Sequence, residues 1–419
     1  MAEIGKCNCW NTIRQNGITK KKYKGMSEWK KVKLGELYEV HNGLSKGRQF
    51  FGSGYPFLTF SHVFNNWFLP ETLDSLVQSS EKERQACSIR RGDVFITRTS
   101  ETMDELGMSS VALKDYPNAT YNGFTKRLRP TTDKVLPEYI GYYLRSQKFR
   151  CKFMAFSSMT TRASLANNDL LGMEVELPEK ATQHRIASIL SRYDSLIENY
   201  QKQIKLLEEA AQRLYKEWFV DLHFPGHENT KIVDGVPKGW EKKKLIDLVD
   251  VQYGYAFDGK LFNNNKEGMP ILRIRNIPDG ITSDYTTEEA SENYIVHNGD
   301  IVVGMDGIFH INSWSGGDAY LVQRACSFRP KEENIRGFIF QAIQEPIKFF
   351  EKTLVGATVA HLGKKHIDSI EMIVPSNEKL YVPFQKEFIQ RQNLLAQIRL
   401  LTEARDRLLP KLMSGEIAV

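Results

Sequence analysis

The sequence has no apolar run that approaches the ~18 residues needed to span a membrane. Its first residues also lack the apolar core of a secretory signal. Cysteine is scarce: five occur among 419 residues, at positions 7, 9, 87, 151 and 326, and their odd number and scatter argue against a disulfide framework. These absences exclude membrane-spanning and disulfide-stabilised secreted proteins. We therefore predict a cytoplasmic chain with reduced cysteines.

Complete catalytic motifs are also missing. Residues 254–260 fit the first seven positions of a phosphate-binding loop, but Leu261 follows where magnesium binding needs Ser or Thr. Cys7 and Cys9 have no second Cys or His pair at zinc-ligand spacing, and no Gly-x-Ser-x-Gly elbow occurs. Methyltransferase motifs of the Asp/Asn-Pro-Pro-aromatic kind are absent, and Asp279 has no downstream Glu-x-Lys to complete a nuclease site. We predict a non-enzymatic chain that binds no metal or cofactor itself.

The net charge of +6 is unevenly distributed. Residues 1–27 carry six basic side chains and one acidic side chain, whereas residues 223–377 carry 17 basic and 21 acidic side chains. We interpret the basic amino terminus as a solvated arm without fixed structure. Because the second half of the chain is acidic in total, a nucleic-acid surface there must be a local patch.

The strongest signal is an internal repeat of about 200 residues. It comprises a Trp-led opening block, a Gly-Asp block and a longer block that ends in Pro. The offsets between copies are 211, 207 and 197 residues, and this drift indicates small insertions and deletions in surface loops. The recurring segments are these blocks, one glycine and one dipeptide. The matches are 29–37 with 240–248, Gly43 with Gly254, 91–96 with 298–303, Lys148-Phe149 with Lys348-Phe349, and 159–178 with 356–375.

The repeated blocks predict strands. Gly-Asp followed by an apolar triplet is typical of a turn into a short buried strand. Residues 173–177 and 370–374 are alternating or apolar segments closed by proline, which indicates one strand in each copy. Each copy is thus predicted to be an α+β domain.

A long helix follows each domain. Between Gln183 and Phe219 there is no glycine or proline, and apolar residues recur alternately four and three positions apart over about five heptads. The second helix follows Pro383, but Arg391 and Arg405 interrupt its apolar stripe, so we expect them at its margin or facing a partner. We expect Pro410 to mark its frayed end. The two helices are predicted to pack as an antiparallel pair; the alternative is that each packs on its own domain.

The predicted fold class is α+β: two similar α+β domains separated by two long antiparallel coiled-coil helices, with an internal duplication of pseudo-twofold symmetry. The glycine- and proline-rich residues 223–239 would link the first helix to the second domain. The predicted boundaries are 1–27 for the basic arm, 28–180 for the first domain, 181–222 for the first helix, 223–377 for the second domain and 378–419 for the second helix.

The order of these blocks, followed by the helix start QHRIASILSRYDSLIE at residues 183–198, resembles the specificity subunit of type I restriction-modification systems. The resemblance spans residues 28–415, and the run RIASILS is its most characteristic part. The basic arm and the less regular second helix depart from the family pattern.

The resemblance implies a non-catalytic subunit with two target-recognition domains. Each domain would read one half of a split, asymmetric duplex DNA site, and the helices would set the gap between the halves. It also implies docking of two modification (methyltransferase) subunits, which bring S-adenosylmethionine, and often of restriction subunits, which bring ATP and magnesium. The chain itself would bind none of these cofactors.

Candidate DNA-binding residues are taken from polar side chains in the repeated blocks. Arg, Asn and His reach base edges, while Lys, Ser and Thr position phosphates. In the first domain they are Arg48, Ser61, His62, Arg98, Thr99, Ser100, Thr160, Thr161 and Arg162. In the second domain they are Arg273, Arg275, Asn276, His310, Thr358, His361, Lys364 and Lys365.

Two other functions fit the same pattern. Duplicated domains on helices could form a protein–protein scaffold whose domains bind peptides. An RNA-binding module draws support from the 46 aromatic residues, which could stack on unpaired bases, although most of them lie in predicted core blocks.

Overall fold

A computed structural model describes residues 29–100, 106–156, 163–164, 166–354 and 360–419. The predicted basic arm, residues 1–27, lies outside the described residues. The chain folds into two compact units. The first joins the chain up to Ser195 with Thr402–Val419, and the second is Leu196–Leu401. None of the described helices has the length and apolarity needed to cross a bilayer.

The first unit contains the first predicted domain. Its strands β1–β11 are Lys30–Lys33, Tyr38–Asn42, Phe51–Leu58, Leu76–Val77, Val94–Thr97, Thr99–Ser100, Ser109–Val111, Thr120–Tyr121, Thr125–Pro130, Ala163–Ser164 and Glu174–Leu177. Its helices α1–α5 are Phe60–Asn65, Glu81–Ala86, Pro137–Arg145, Gln147–Phe156 and Asn167–Gly172, and α6, Lys180–Tyr215, begins in this unit.

The second unit has the same organisation. Strands β12–β24 are Ile232–Val233, Val236–Pro237, Trp240–Lys244, Val249–Tyr253, Phe262–Asn263, Met269–Leu272, Tyr285–Thr286, Ile295–Val296, Ile301–Gly304, Ile311–Ser313, Ala319–Leu321, Ala325–Pro330 and Glu371–Pro375. Helices α7–α10 are Leu245–Leu248, Arg336–Ala342, Gln344–Thr353 and Lys364–Asp368, and α11 is Val382–Ser414.

The strand pairing confirms the predicted duplication. A four-stranded antiparallel sheet has the order β2-β9-β5-β7 in the first unit and β15-β23-β20-β21 in the second. The opening strand of each copy pairs antiparallel with its last strand, β1 with β11 and β14 with β24. A parallel pair, β3 with β8 and β17 with β22, also recurs. Two α+β domains of one topology therefore occur in the chain, as predicted.

Glycine at the matched positions 43 and 254 is required by a close approach of two backbone segments. A Cβ atom on Gly43 would lie 2.0 Å from the carbonyl oxygen of Asn122, and one on Gly254 would lie 2.2 Å from that of Val322. The next residue in each copy, Leu44 or Tyr255, forms a parallel bridge at this point. The glycine match therefore reflects steric exclusion of any side chain.

The Gly-Asp turn is held by its aspartate. Gly92 and Gly299 have φ near +90°, a conformation that favours glycine. The buried carboxylate of Asp93 accepts a hydrogen bond from the backbone N–H of Arg90 at 2.8 Å and from the Arg129 guanidinium at 2.6 Å. This ion pair raises the pKa of Arg129. In the second copy, the Asp300 carboxylate lies 3.8 Å from the Arg329 guanidinium. The same ion pair therefore links the turn before β5 to β9 in the first unit and the turn before β20 to β23 in the second.

One residue match from the sequence is wrong. Phe149 is 1% exposed in the first core, whereas its proposed counterpart Phe349 is 61% exposed. The helices that carry them begin at Gln147 and Gln344, an offset of 197 rather than 200. At this offset Phe149 falls on Pro346, which is next to the buried Ile347.

Packing within each unit shows that the two long helices run antiparallel. In the first unit, Ile186 and Leu190 from the start of α6 share a core with Leu412 from the end of α11. In the second unit, the ring of Tyr215 at the end of α6 contacts that of Phe384 at the start of α11. After Tyr215, a π turn spans Lys216–Val220. The predicted pair is confirmed.

One expectation for α11 is wrong. The helix continues through Pro410 to Ser414, because Leu412 and Met413 are buried in the first core and hold the last turn in place. Of the two alternatives expected for Arg391 and Arg405, the structure shows the second: each faces a partner, which is a carboxylate on α6. Arg391 is 5% exposed, and its Nε donates to Glu208 Oε1 at 2.6 Å. Arg405 Nη1 donates to Asp194 Oδ1 at 2.7 Å.

Arg391 should be a major source of stability for the second unit. It also donates to the side chains of Asn312 and Ser313 and stacks on the Phe340 ring. We expect Arg391→Ala to lower the free energy of unfolding by about 2–4 kcal/mol, because it removes three hydrogen bonds, one of them an ion pair with Glu208, and the packing on the Phe340 ring. Arg407→Ala, on the exposed side of the same helix, is the control and should change it by less than about 0.5 kcal/mol. Calorimetric unfolding would measure both, and equal effects would contradict the assignment.

Glu387 makes the stability of this unit depend on pH. Burial raises the pKa of this carboxyl from 4.5 to about 7, although the Arg391 charge opposes the shift. The folded chain therefore holds a proton that the unfolded chain releases, and stability falls as the pH rises from 4.5 to 7.

We expect Glu387→Gln to remove this decline. At pH 8 the variant should be more stable than the original chain by about 2–3 kcal/mol, and at pH 4.5 the two should be nearly equal. Melting temperatures across this pH range would test the expectation. Glu403→Gln, at an exposed position of the same helix, should leave the pH profile unchanged.

Candidate nucleic-acid interface

Three segments meet at one end of the four-stranded sheet in the first unit. We call them the first loop cluster: residues 98–100 after β5, residues 123–124 before β9, and Ala163–Ser164. The N–H of Arg98 donates to the carbonyl of Phe124 at 3.0 Å. Thr99 pairs with Ser164 through the short strands β6 and β10. Main-chain hydrogen bonds therefore bring these segments together.

The second unit has an equivalent arrangement. The second loop cluster consists of residues 305–308 after β20, residues 323–324 before β23, and residues 360–365. The N–H of Met305 donates to the carbonyl of Arg324 at 2.8 Å, as Arg98 does to Phe124. Asp306 forms a β-bridge with His361, as Thr99 pairs with Ser164. The two clusters thus share one backbone framework.

The side chains on this framework differ between the two domains. In the first cluster, burial and the nearby charge of Arg98 lower the pKa of Lys126 on the adjoining strand β9. In the second cluster, Asp306 Oδ1 lies 2.6 Å from His361 Nδ1, and Asp306 Oδ2 lies 3.3 Å from Arg324 Nη1. Lys364 and Lys365 of the same cluster are exposed, and Lys364 Nζ lies 2.9 Å from Asp368 Oδ2. Two different polar surfaces are therefore presented by equivalent loops.

The structure brings part of the predicted site together. Arg98, Thr99 and Ser100 lie in the first loop cluster. His361, Lys364 and Lys365 lie in the second. His310 is half-buried, and its carbonyl accepts from the N–H of Gly304 in strand β20. Thr160, Thr161, Arg162 and Thr358 lie outside the described residues.

The candidates near α1 have structural hydrogen bonds. His62 caps this helix reciprocally with Thr59, and its Nε2 lies 2.9 Å from Asp74 Oδ1. The hydroxyl of Ser61 accepts from the side-chain amide of Asn65 at 2.9 Å. Arg48 is exposed at the start of a short 3₁₀ turn, Arg48–Phe50. A DNA contact by these residues stays a prediction.

The candidates around residue 275 also have partners within the fold. Arg275 binds the buried carboxylate of Asp284 with two nitrogens, the shortest distance being 2.6 Å. The side-chain oxygen of Asn276 accepts from the N–H of Arg273 at 2.9 Å. The guanidinium of Arg273 lies 5.4 Å from the centre of the Phe262 ring.

Sequence reasoning missed one exposed side chain in each cluster. Phe124 is 64% exposed, and the Arg324 side chain is 53% exposed. A signal for both was present: Arg-Pro recurs at 129–130 and 329–330 with an offset of 200, and this offset places Phe124 opposite Arg324. Across the described ranges, no group of three or more His, Cys, Asp or Glu side chains could hold a metal ion.

Comparison with known proteins identifies the family. A family model described as the type I restriction modification DNA specificity domain matches twice, over residues 26–209 and 237–405. The chain belongs to this family. The two matches correspond to the two copies of the repeat, and the resemblance found in the sequence is confirmed.

Relatives within the type I specificity family match over nearly the whole chain. The MjaIX specificity subunit of Methanocaldococcus jannaschii is 26% identical, over 94% of this chain and 94% of its own length. The HindI specificity subunit of Haemophilus influenzae is 24% identical, over 94% of this chain and all of its own length. The crystal structure of the S subunit from M. genitalium shares the fold, with a TM-score of 0.54 at 16% identity and coverage of 94% and 97%.

We expect Arg275 to contribute to stability, because its removal leaves the buried Asp284 carboxylate unpaired. Arg275→Ala should lower the free energy of unfolding by about 2 kcal/mol. The double variant Arg275→Ala/Asp284→Ala should recover part of this loss, and calorimetry on the three proteins would measure it. If the single variant unfolds like the original chain but loses DNA affinity, the arginine serves binding instead.

Proposed function

We propose that this chain is the non-catalytic DNA specificity subunit of a type I restriction-modification complex and reads a bipartite, asymmetric duplex site. One observation carries the proposal: the same loop framework occurs once in each domain and bears different side chains. Two related domains with different polar surfaces suit two half-sites of different sequence.

Physical reasons favour the loop clusters as the reading surfaces. Sequence is read by hydrogen bonds and apolar contacts to base edges, which require side chains held in fixed positions. Backbone bonds such as that from Met305 to Arg324 provide this fixation. The second domain has an excess of acidic side chains, so attraction of DNA there depends on exposed cations of the second loop cluster, which are Arg324, Lys364 and Lys365.

The proposal assigns the chemistry to other subunits. Two modification subunits would supply methyl transfer with S-adenosylmethionine, and restriction subunits, where present, would supply ATP- and magnesium-dependent cleavage. This chain would supply sequence choice and docking. The names of its relatives, which are specificity subunits of type I restriction enzymes, support this division.

Methylation mapping would test the function. The chain, produced with its modification subunits, should direct methylation to one two-part sequence with a fixed gap. Replacing residues 28–180 by the corresponding domain of another family member should change one half of that sequence and leave the other unchanged. A complex that methylates or binds duplexes without sequence preference would contradict the proposal. Nuclease-insensitive binding to a polypeptide instead would favour a protein scaffold.

A further inference from the structure

Arg324 occupies a backbone conformation that is unfavourable for its residue type. It lies in the tight turn between β22 and β23 with φ of +76°. Glycine or asparagine is usual in such a turn position, because a Cβ atom is disfavoured there. Backbone strain at a residue whose side chain does not support the core is a feature of functional sites.

The Arg324 side chain extends from the second loop cluster, and the Asp306 carboxylate holds it in position. Its Nη1 lies 3.3 Å from Asp306 Oδ2, while Asp306 Oδ1 lies 2.6 Å from His361 Nδ1. The loop that carries Asp306 is itself held, because the Gly307 N–H donates to the Ala360 carbonyl at 3.0 Å. A guanidinium has five N–H donors, so one contact with a carboxylate leaves others available. The arginine is therefore oriented and still able to bind.

The neighbouring carboxylate decides which part of DNA suits this arginine. A phosphate close to Arg324 would be repelled by the negative charge of Asp306, which lies in direct contact with the guanidinium. A guanine edge presents two neutral acceptors, N7 and O6, and arginine binds both at once. The arrangement thus favours a base over the DNA backbone.

On the basis of the proposed function, we infer that Arg324, oriented by Asp306, reads a guanine in the major groove of the second half-site. The equivalent residue of the first domain, Phe124, has no side-chain donor and cannot make this contact. One position of the second half-site is therefore fixed as guanine by a single side chain, and Phe124 makes no corresponding contact with the first half-site. Asp306 is a positioning residue.

Arg324→Gly separates a role in reading DNA from a role in the fold. Glycine accepts the positive φ without strain, so the variant should melt at a higher temperature than the original chain. Its discrimination at one guanine of the second half-site should fall by about tenfold to a hundredfold, the effect of losing one bidentate contact. Binding of the complete complex to duplexes with each base at each half-site position would measure this.

Two further variants make the test specific. Asp306→Asn should weaken preference at the same guanine and leave the first half-site unchanged. Lys352→Ala removes an exposed cation of the same domain, on α9, and should leave the preference at that guanine unchanged. Phe124→Ala should alter no position of the second half-site.

The outcomes separate this inference from the proposed function. If the original complex prefers a bipartite site and Arg324→Gly keeps the full preference, the inference is wrong and the proposed function stands. If the variant binds all sequences more weakly to the same degree, with a smaller salt dependence, Arg324 contacts phosphate and the inference is also wrong. If the original complex has no sequence preference, the proposed function itself fails.

Discussion

Each domain depends on one antiparallel strand pair in its four-stranded sheet. The pair is β5 with β9 in the first unit and β20 with β23 in the second. In the first copy Val94 pairs with Leu128, and in the second Ile301 pairs with Phe328. Because this register is fixed by buried apolar side chains, the loop after the first strand begins beside the turn that precedes the second strand. The loop clusters are therefore a direct result of the core, and their side chains can differ while their backbone does not.

Much of the fold is predictable because its signals are local. The heptad pattern identifies both long helices, and the repeated blocks identify the paired strands. Two features of α11 depend on groups that are distant in sequence. The carboxylates that bind Arg391 and Arg405 belong to α6. The two positive charges that interrupt the apolar stripe of α11 are therefore paired. Pro410 stays helical because the next turn is anchored in a core that includes residues of the first domain.

The site is less predictable, because residue type does not reveal a side chain's partner. Arg275 and His62 are suitable for binding DNA by type, but each is engaged by an aspartate nine or twelve residues away. Arg324 is the opposite case. No motif identifies it, and the inference that it reads DNA depends on its backbone φ and its exposure. The repeat does provide one route to it. Aligning both copies on their shared Arg-Pro dipeptide shows that an aromatic and a cationic residue occupy the same turn.

The contribution of α11 to the first core has a consequence for biosynthesis. Leu409, Leu412 and Met413 complete an apolar cluster to which Ile186 and Leu190 also belong. The ribosome makes these three residues only after it has made the entire second domain. The nascent first domain must therefore wait with an uncovered apolar face, and a premature stop codon or frameshift in the second domain would leave that face open to chaperones and proteases. The uncovered apolar face of the first domain would thus make truncated products targets for degradation.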